Sequence, residues 1–281
     1  MIPAAFEYER AESPEHALEL LGRFGEDAKL LAGGQSLLSF MKLRIARPSA
    51  LVYIGRLSEL EYVREDGDAI AIGALTKYED AHRDELLRRE CPIVAFACGE
   101  VGDPQVRHVG TIGGGVAHGD PASDLPSVLV ALDAQLVVRG GEGSRTVGAR
   151  EFFRGTFDVD LGAQELLTEI RVPKTAGRGW SYVKFHPRAQ DWAIAGVAAV
   201  VERRNGGVGS AAIGLTNLGP TALRGTAVEE ALVGGASPEE AAQRVSEIGI
   251  APVDDVFASA EYRTYLAPIL ARRAIEEALT R

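Results

Sequence analysis

Two glycine clusters, Ala32-Gly33-Gly34-Gln35-Ser36 and Thr111-Ile112-Gly113-Gly114-Gly115, have the residue types and spacing to bind an anion. Glycine lets the backbone come close to a ligand and aim successive N–H groups at it, and a helix that follows adds partial positive charge. Both clusters fit a diphosphate cradle. Neither has the Lys-Ser or Lys-Thr pair of a P-loop, and neither reads G-x-G-x-x-G between a strand and a helix. A nucleotide triphosphatase and a Rossmann dehydrogenase are thereby set aside. A plain tight turn would also account for either cluster alone. Three consecutive glycines would cost a helix roughly 1 kcal/mol each against alanine, so residues 113–115 are expected to serve something other than packing.

His108, His118, Asp120 and Asp124 are close enough in sequence to suggest a metal-dependent hydrolase. The triple glycine between the histidines fits no helical ligand pair, and no metal is expected there. Cys91 and Cys98 are too few for a disulfide scaffold or an iron–sulfur cluster, which usually takes four thiolates. They read as small apolar side chains flanking a helix.

The elements that must position these residues can be read from periodicity and punctuation. Ser13-Pro14 opens a helix over 14–24 that Gly25 stops. A short apolar run then leads into Gly33-Gly34 and a helix over 36–43. Residues 50–54 read as a strand, and 62–63 and 69–72 as a hairpin turning at Asp66-Gly67. Thr76 and Glu79 suggest a capping box for a helix running toward Glu90. Helices over 92–100 and 126–132 flank the second cluster, and a hairpin (135–139, 144–147) and a strand (166–172) follow. Beyond a polar, Gly-rich piece at 174–179, strands at 180–185, 193–202 and 208–215 imply a small antiparallel sheet, with Asn205-Gly206-Gly207 as a turn. Three helices close the chain. Two open on expected capping boxes, Thr226 with Glu229 and Ser237 with Glu240, and the third runs over 260–279.

With 281 residues, 46% hydrophobic and 25% charged, the chain has room for two domains and a sizeable core. A net charge of −10 argues against a nucleic-acid partner, which needs clustered Lys and Arg. Residues 1–13 contain Glu7, Glu9 and Glu12 and do not read as a signal peptide. No run reaches the roughly 18 apolar residues of a membrane span, so a cytoplasmic location is expected.

The two clusters, with Val101-Gly102-Asp103-Pro104 and Asp120-Pro121-Ala122-Ser123-Asp124-Leu125-Pro126, resemble the medium, FAD-binding subunits of the carbon monoxide dehydrogenase and xanthine dehydrogenase group of molybdenum hydroxylases. The similarity runs in the family's order from Phe6 to Ala258-Ser259-Ala260-Glu261-Tyr262-Arg263. It implies an α+β chain. A two-part FAD-binding domain of the vanillyl-alcohol oxidase (PCMH) type would span 1–176, with subdomains of about 1–55 and 56–176. A smaller domain with an antiparallel sheet and C-terminal helices would span 177–281.

The resemblance makes Ala32, Gly33, Gly34, Gln35, Ser36, Thr111, Ile112, Gly113, Gly114 and Gly115 the residues that grip the FAD diphosphate from two sides, Ser36 and Thr111 adding hydroxyl donors. Asp124 matches an acidic residue that accepts hydrogen bonds from ribose or ribityl hydroxyls, although Asp also suits an N-cap there. Leu166 and Lys184 match positions near the flavin ring, where a cation would stabilise reduced flavin; a solvated strand lysine is the bland alternative. Arg188 with Asp191-Trp192 matches a motif at the entry to the second domain, or else is an ion pair beside a buried aromatic. Two departures stand out: Gly115 where Asn or Ser is usual, and Gly119 where Ala is common. The first removes a hydrogen bond worth about 0.5–1.5 kcal/mol, too little to abolish binding.

Noncovalent FAD is the expected cofactor, rather than attachment through His118. The resemblance further implies a large subunit with molybdenum–molybdopterin and a small subunit with two [2Fe-2S] clusters, paired as a dimer of heterotrimers. The substrate would bind on the large subunit, and a quinone, NAD or another acceptor would take the electrons. A nucleotide-binding or scaffold module without redox activity is the alternative.

Overall fold

The computed structural model describes residues 2–281. Ser13 accepts the His16 N–H and Pro14 occupies the first turn, so the helix Pro14–Phe24 starts where the sequence places it and buries Ala17, Leu20 and Leu21. It covers a parallel sheet in the order Glu7–Arg10, Ala50–Tyr53, Ala28–Leu31. The Glu7–Arg10 edge strand is exposed at every residue, so it has no inward apolar face that sequence periodicity could report. Its backbone ladder to Ala50–Tyr53 holds it in place. The helix Leu37–Lys42 follows the first glycine turn.

The second sheet is antiparallel, ordered Val63–Asp66, Ala69–Gly73, Leu166–Pro173, Gln135–Gly140, Gly143–Gly148. Its inward residues Ile70, Ile72, Leu136, Val138, Ile170 and Val172 are buried in a core shared with the helices Pro92–Gly99, Ile112–His118 and Asp124–Ala131. Cys91 and Cys98 are fully buried in it, and burial pushes the Cys91 thiol up to about 12 and that of Cys98 higher still. They are apolar filler, as read from sequence.

The capping box expected at Thr76 and Glu79 does not form. The Thr76 hydroxyl donates to the Tyr62 carbonyl (2.9 Å) and accepts its N–H (3.1 Å), while Glu79 pairs with Arg107 and Arg83. The helix begins later and is cut in two, Tyr78–Arg83 and Glu85–Glu90, because Asp84 leaves helical geometry and accepts the Leu87 N–H as a new N-cap.

A third sheet, also antiparallel, orders Gly179–Phe185, Ala195–Arg204, Gly207–Thr216, Leu223–Arg224. The helices Thr226–Val233, Pro238–Gln243 and Ala260–Thr280 pack with it. Ser237 and Glu240 complete their reciprocal box. Thr226 does not cap; Glu229 instead accepts the Ile213 N–H (2.7 Å) and pairs with Arg224. Asp124–Ala131 of the preceding part lies against this sheet so closely that a Cβ at Gly214 would fall 2.0 Å from the Ser127 carbonyl oxygen.

Candidate cofactor site

The first glycine cluster connects Ala28–Leu31 to Leu37–Lys42. Gly34 has φ +71, where a side chain is strained. A Cβ at Gly33 would sit 2.2 Å from the Val109 carbonyl oxygen and 2.9 Å from Gly110 Cα, so this loop is packed directly on the segment entering the second cluster. Among the described residues, the N–H groups of Gly33, Gly34, Gln35 and Ser36 meet no acceptor in the chain, and the Ser36 hydroxyl makes no cap bond. Backbone donors left this way seek an acceptor from outside. Ala32 and Gln35 flank the turn, the latter reaching back to the Gly33 carbonyl at 3.4 Å.

The second cluster corrects the expectation from its three glycines. Gly113, Gly114 and Gly115 lie inside the helix Ile112–His118, and packing selects two of them. A Cβ at Gly113 would strike Ala74 (2.5 Å to its Cβ), and one at Gly115 would fall 1.8 Å from Tyr78 Oη. Gly114 is different: it is exposed, and only Thr111 Oγ1 lies near its missing Cβ. The amides here are also in use. Ile112 N–H donates to Thr76 (2.9 Å), Gly113 to Ala74 (2.8 Å), Gly114 to the Thr111 hydroxyl oxygen (3.2 Å) and Gly115 to the Thr111 carbonyl (3.1 Å). The first cluster therefore offers donors, while the second offers a surface without side chains and the Thr111 hydroxyl proton.

Asp124 and Lys184 come together although sixty residues separate them in sequence. Lys184 Nζ donates to Asp124 Oδ2 (3.0 Å) and to the Glu100 carbonyl (2.9 Å), and Tyr182 Oη donates to Asp124 Oδ1 (2.8 Å). Thr216 and Ser127, 2.6 Å apart, extend the cluster. The Lys184 side chain is 2% exposed, so it is not a solvated strand lysine. Nor is Asp124 an N-cap, since Ser123 holds that position. Burial raises the Asp124 carboxyl above the usual aspartate range, against the opposing pull of Lys184 and Tyr182. Tyr182, Ser127 and Thr216 were missed in the sequence; Tyr182 and Lys184, two apart on one strand, share a face, and that was the available signal.

Leu166 is 2% exposed and packs in the core beneath the first sheet, leaving its backbone as its route to any ligand. His118 packs against Phe40 and Phe157, with ring centroids at 5.1 and 4.9 Å, and burial lowers its pKa. Arg188 and Asp191 form the expected ion pair at 3.0 Å, but Trp192, which follows the turn that this pair closes, is half exposed rather than buried.

Residues 4–175 match the family model described as the FAD binding domain in molybdopterin dehydrogenase. The chain belongs to this family. Residues 180–278 match the CO dehydrogenase flavoprotein C-terminal domain. The chain is 43% identical to the carbon monoxide dehydrogenase medium chain of Hydrogenophaga pseudoflava, with 100% of this chain and 99% of that one covered. It is 35% identical to the glyceraldehyde dehydrogenase medium chain of Sulfolobus acidocaldarius, with 99% of each covered. A solved structure of carbon monoxide dehydrogenase from Hydrogenophaga pseudoflava, lacking the Mo-pyranopterin moiety of its molybdenum cofactor, superposes with a TM-score of 0.96 at 44% identity, covering 100% of this chain and 99% of that chain.

As a member of the molybdopterin dehydrogenase FAD-binding family, the chain is an oxidoreductase subunit that takes FAD. The residues present fit that cofactor: unspent amide donors at 33–36 suit a diphosphate, and Gly114 leaves room for it to approach. Among the described residues, no helix is long and apolar enough to cross a membrane.

Proposed function

We propose that this chain is the electron-transfer subunit of a heterotrimeric molybdenum hydroxylase. Electrons would arrive from [2Fe-2S] clusters on a small partner subunit and leave for an external acceptor. A large partner subunit would hold molybdenum–molybdopterin and the substrate, and two trimers would pair in the cytoplasm. We further divide the chain at 176/177, with subdomains of about 1–55 and 56–176 in the first part. The observation that carries the site assignment is the row of unpaired amides at Gly33, Gly34, Gln35 and Ser36, in a loop packed on the approach to Gly114.

In this reading those four amides and the Ser36 and Thr111 hydroxyls hold the FAD diphosphate. Ala32, Ile112, Gly113 and Gly115 shape the two loops around it. Leu166 meets the flavin through its backbone, and Lys184, anchored by Asp124, sets a fixed positive charge on the ring side. FAD supplies the redox chemistry, and the chain supplies binding, orientation and electrostatics. The diverse substrates in the relatives' names agree with a substrate site on another subunit.

An absorption spectrum of the purified chain, before and after heat release of its chromophore, tests the cofactor, and a pull-down from the native source tests the assembly. Flavin bands, released FAD and two co-purifying partners support the proposal. A redox-silent scaffold would give a colourless chain that takes up no added FAD. Gly33→Val and Gly114→Val are expected to yield apo-protein; full FAD content in both would sink the loop assignment.

A further inference from the structure

Tyr78 opens the helix Tyr78–Arg83 with its N–H on the Gly110 carbonyl (3.2 Å), and its ring runs along the second cluster from Gly110, on which the first cluster also packs, to Gly115. A Cβ at Gly110 would lie 3.3 Å from Tyr78 Cδ2 and 3.5 Å from Gln35 Cγ; a Cβ at Gly115 would lie 1.8 Å from Tyr78 Oη. The tyrosine hydroxyl thus occupies the space where residue 115 would begin its own side chain. The residue is 7% exposed, yet its hydroxyl has no hydrogen-bond partner among the described residues. Thr175 Oγ1 is the one fully enclosed side-chain polar atom left unpaired among them, so Tyr78 Oη, although the ring is buried, keeps some accessible surface beside Gly115. A buried phenol normally finds a partner for its O–H.

We propose that Tyr78 is a cofactor-binding residue whose O–H donates to a diphosphate oxygen of FAD at the seam between the two glycine clusters. The proposal rests on the reading that these clusters hold the diphosphate. Two features of the chain fit it. Gly115 cannot supply a side-chain donor, and Tyr78 delivers one to the same place from a neighbouring helix. Burial also drives the phenol far above its ordinary pKa, so it stays a protonated donor across the working pH range.

The test removes one atom. FAD is stripped from the full chain and titrated back into the parent, Tyr78→Phe and Gly114→Val, and the thermal unfolding of each apo-chain is recorded alongside. Losing one hydrogen bond to a charged oxygen should weaken FAD roughly ten- to a hundredfold in Tyr78→Phe, with apo-chain unfolding unchanged. Parent-like affinity in Tyr78→Phe, with binding abolished in Gly114→Val, would overturn the role of Tyr78 and leave the loop reading standing. Parent-like affinity in both variants would overturn both. A Tyr78→Phe chain whose apo-form unfolds earlier in proportion to its weaker binding would make the hydroxyl a fold contact and also defeat the proposal.

Discussion

The seam between the glycine clusters and the cluster around Asp124 are both polar, and both were expected to touch the cofactor, but they are built in opposite ways. At Asp124 every carboxylate oxygen has a donor, Lys184 has two acceptors, and Thr216 and Ser127 close the network. At the seam, four consecutive amides and the Tyr78 hydroxyl have no partner among the described residues. A network complete in itself contributes to stability and fixes how Asp124–Ala131 meets the strand bearing Tyr182 and Lys184; groups left unpaired are shaped for something that arrives. Substitutions in the first region should therefore be read out mainly in folding, and those in the second mainly in FAD.

The largest effect is expected from Lys184→Met. It strands a buried carboxylate, for which losses of about 3–5 kcal/mol are typical, measurable by urea unfolding of the apo-chain. A variant that folds like the parent but loses FAD would break the comparison, since Lys184 would then serve the cofactor alone. Gly33→Val comes next, because its Cβ is directed at a backbone carbonyl that cannot give way. Overpacking of this kind costs about 1–3 kcal/mol, and the displaced loop should also empty the protein of FAD. Gly114→Val separates the two readouts: FAD content should fall to nothing while apo-stability stays within about 1 kcal/mol, as the residue is exposed and the parent glycine is itself a poor helix former.

A smaller and sharper test is the cycle of Gly115→Ala with Tyr78→Phe. In the parent the new methyl meets Oη at 1.8 Å, whereas after Tyr78→Phe the nearest ring atom is Cζ at 3.1 Å. The two changes should couple by about 1 kcal/mol in apo-stability, in the sense that the alanine costs less once the hydroxyl is gone. Strict additivity would mean that Tyr78 moves aside freely and that the fit at Gly115 is incidental.

How much of this was legible in the sequence differs between the same two regions. Ser13-Pro14, Asp66-Gly67 and the Ser237/Glu240 pair act within a few residues of themselves, so they placed their elements correctly. The glycine clusters were recognisable as a site, but the reason for each glycine was not. Gly113 and Gly115 are required by Ala74 and Tyr78, which lie far along the chain, and helix cost alone pointed away from the helix that forms. The Asp124–Lys184 pair joins two parts of the chain, and no local pattern encodes a contact of that span. Thr76 with Glu79 looked like a capping box because the partners that compete for them, Tyr62 and Arg107, are equally remote.

Glu79 gives the smallest expected effect and ties the comparison to pH. It sits beside Tyr78 and grips Arg107, whose guanidinium also reaches the Val101 and Gly102 carbonyls, so it braces the segment leading into the second cluster. The Arg107 hydrogen bond, with Arg83, holds its carboxyl below the ordinary glutamate value of 4.5. A depressed acid stabilises the fold fully above its unfolded pKa, and that contribution disappears as pH falls through the folded one. Glu79→Gln should therefore cost about 1 kcal/mol at pH 7 and progressively less below pH 4.5, the two unfolding curves converging in acid. Asp124 runs the other way: its raised pKa means that its burial is best tolerated protonated, and stability drains as pH climbs from the ordinary aspartate value through the folded one. Urea midpoints of the parent and Glu79→Gln across that range would separate the two slopes. A Glu79→Gln deficit that persists undiminished in acid would show that the brace works by shape rather than by charge.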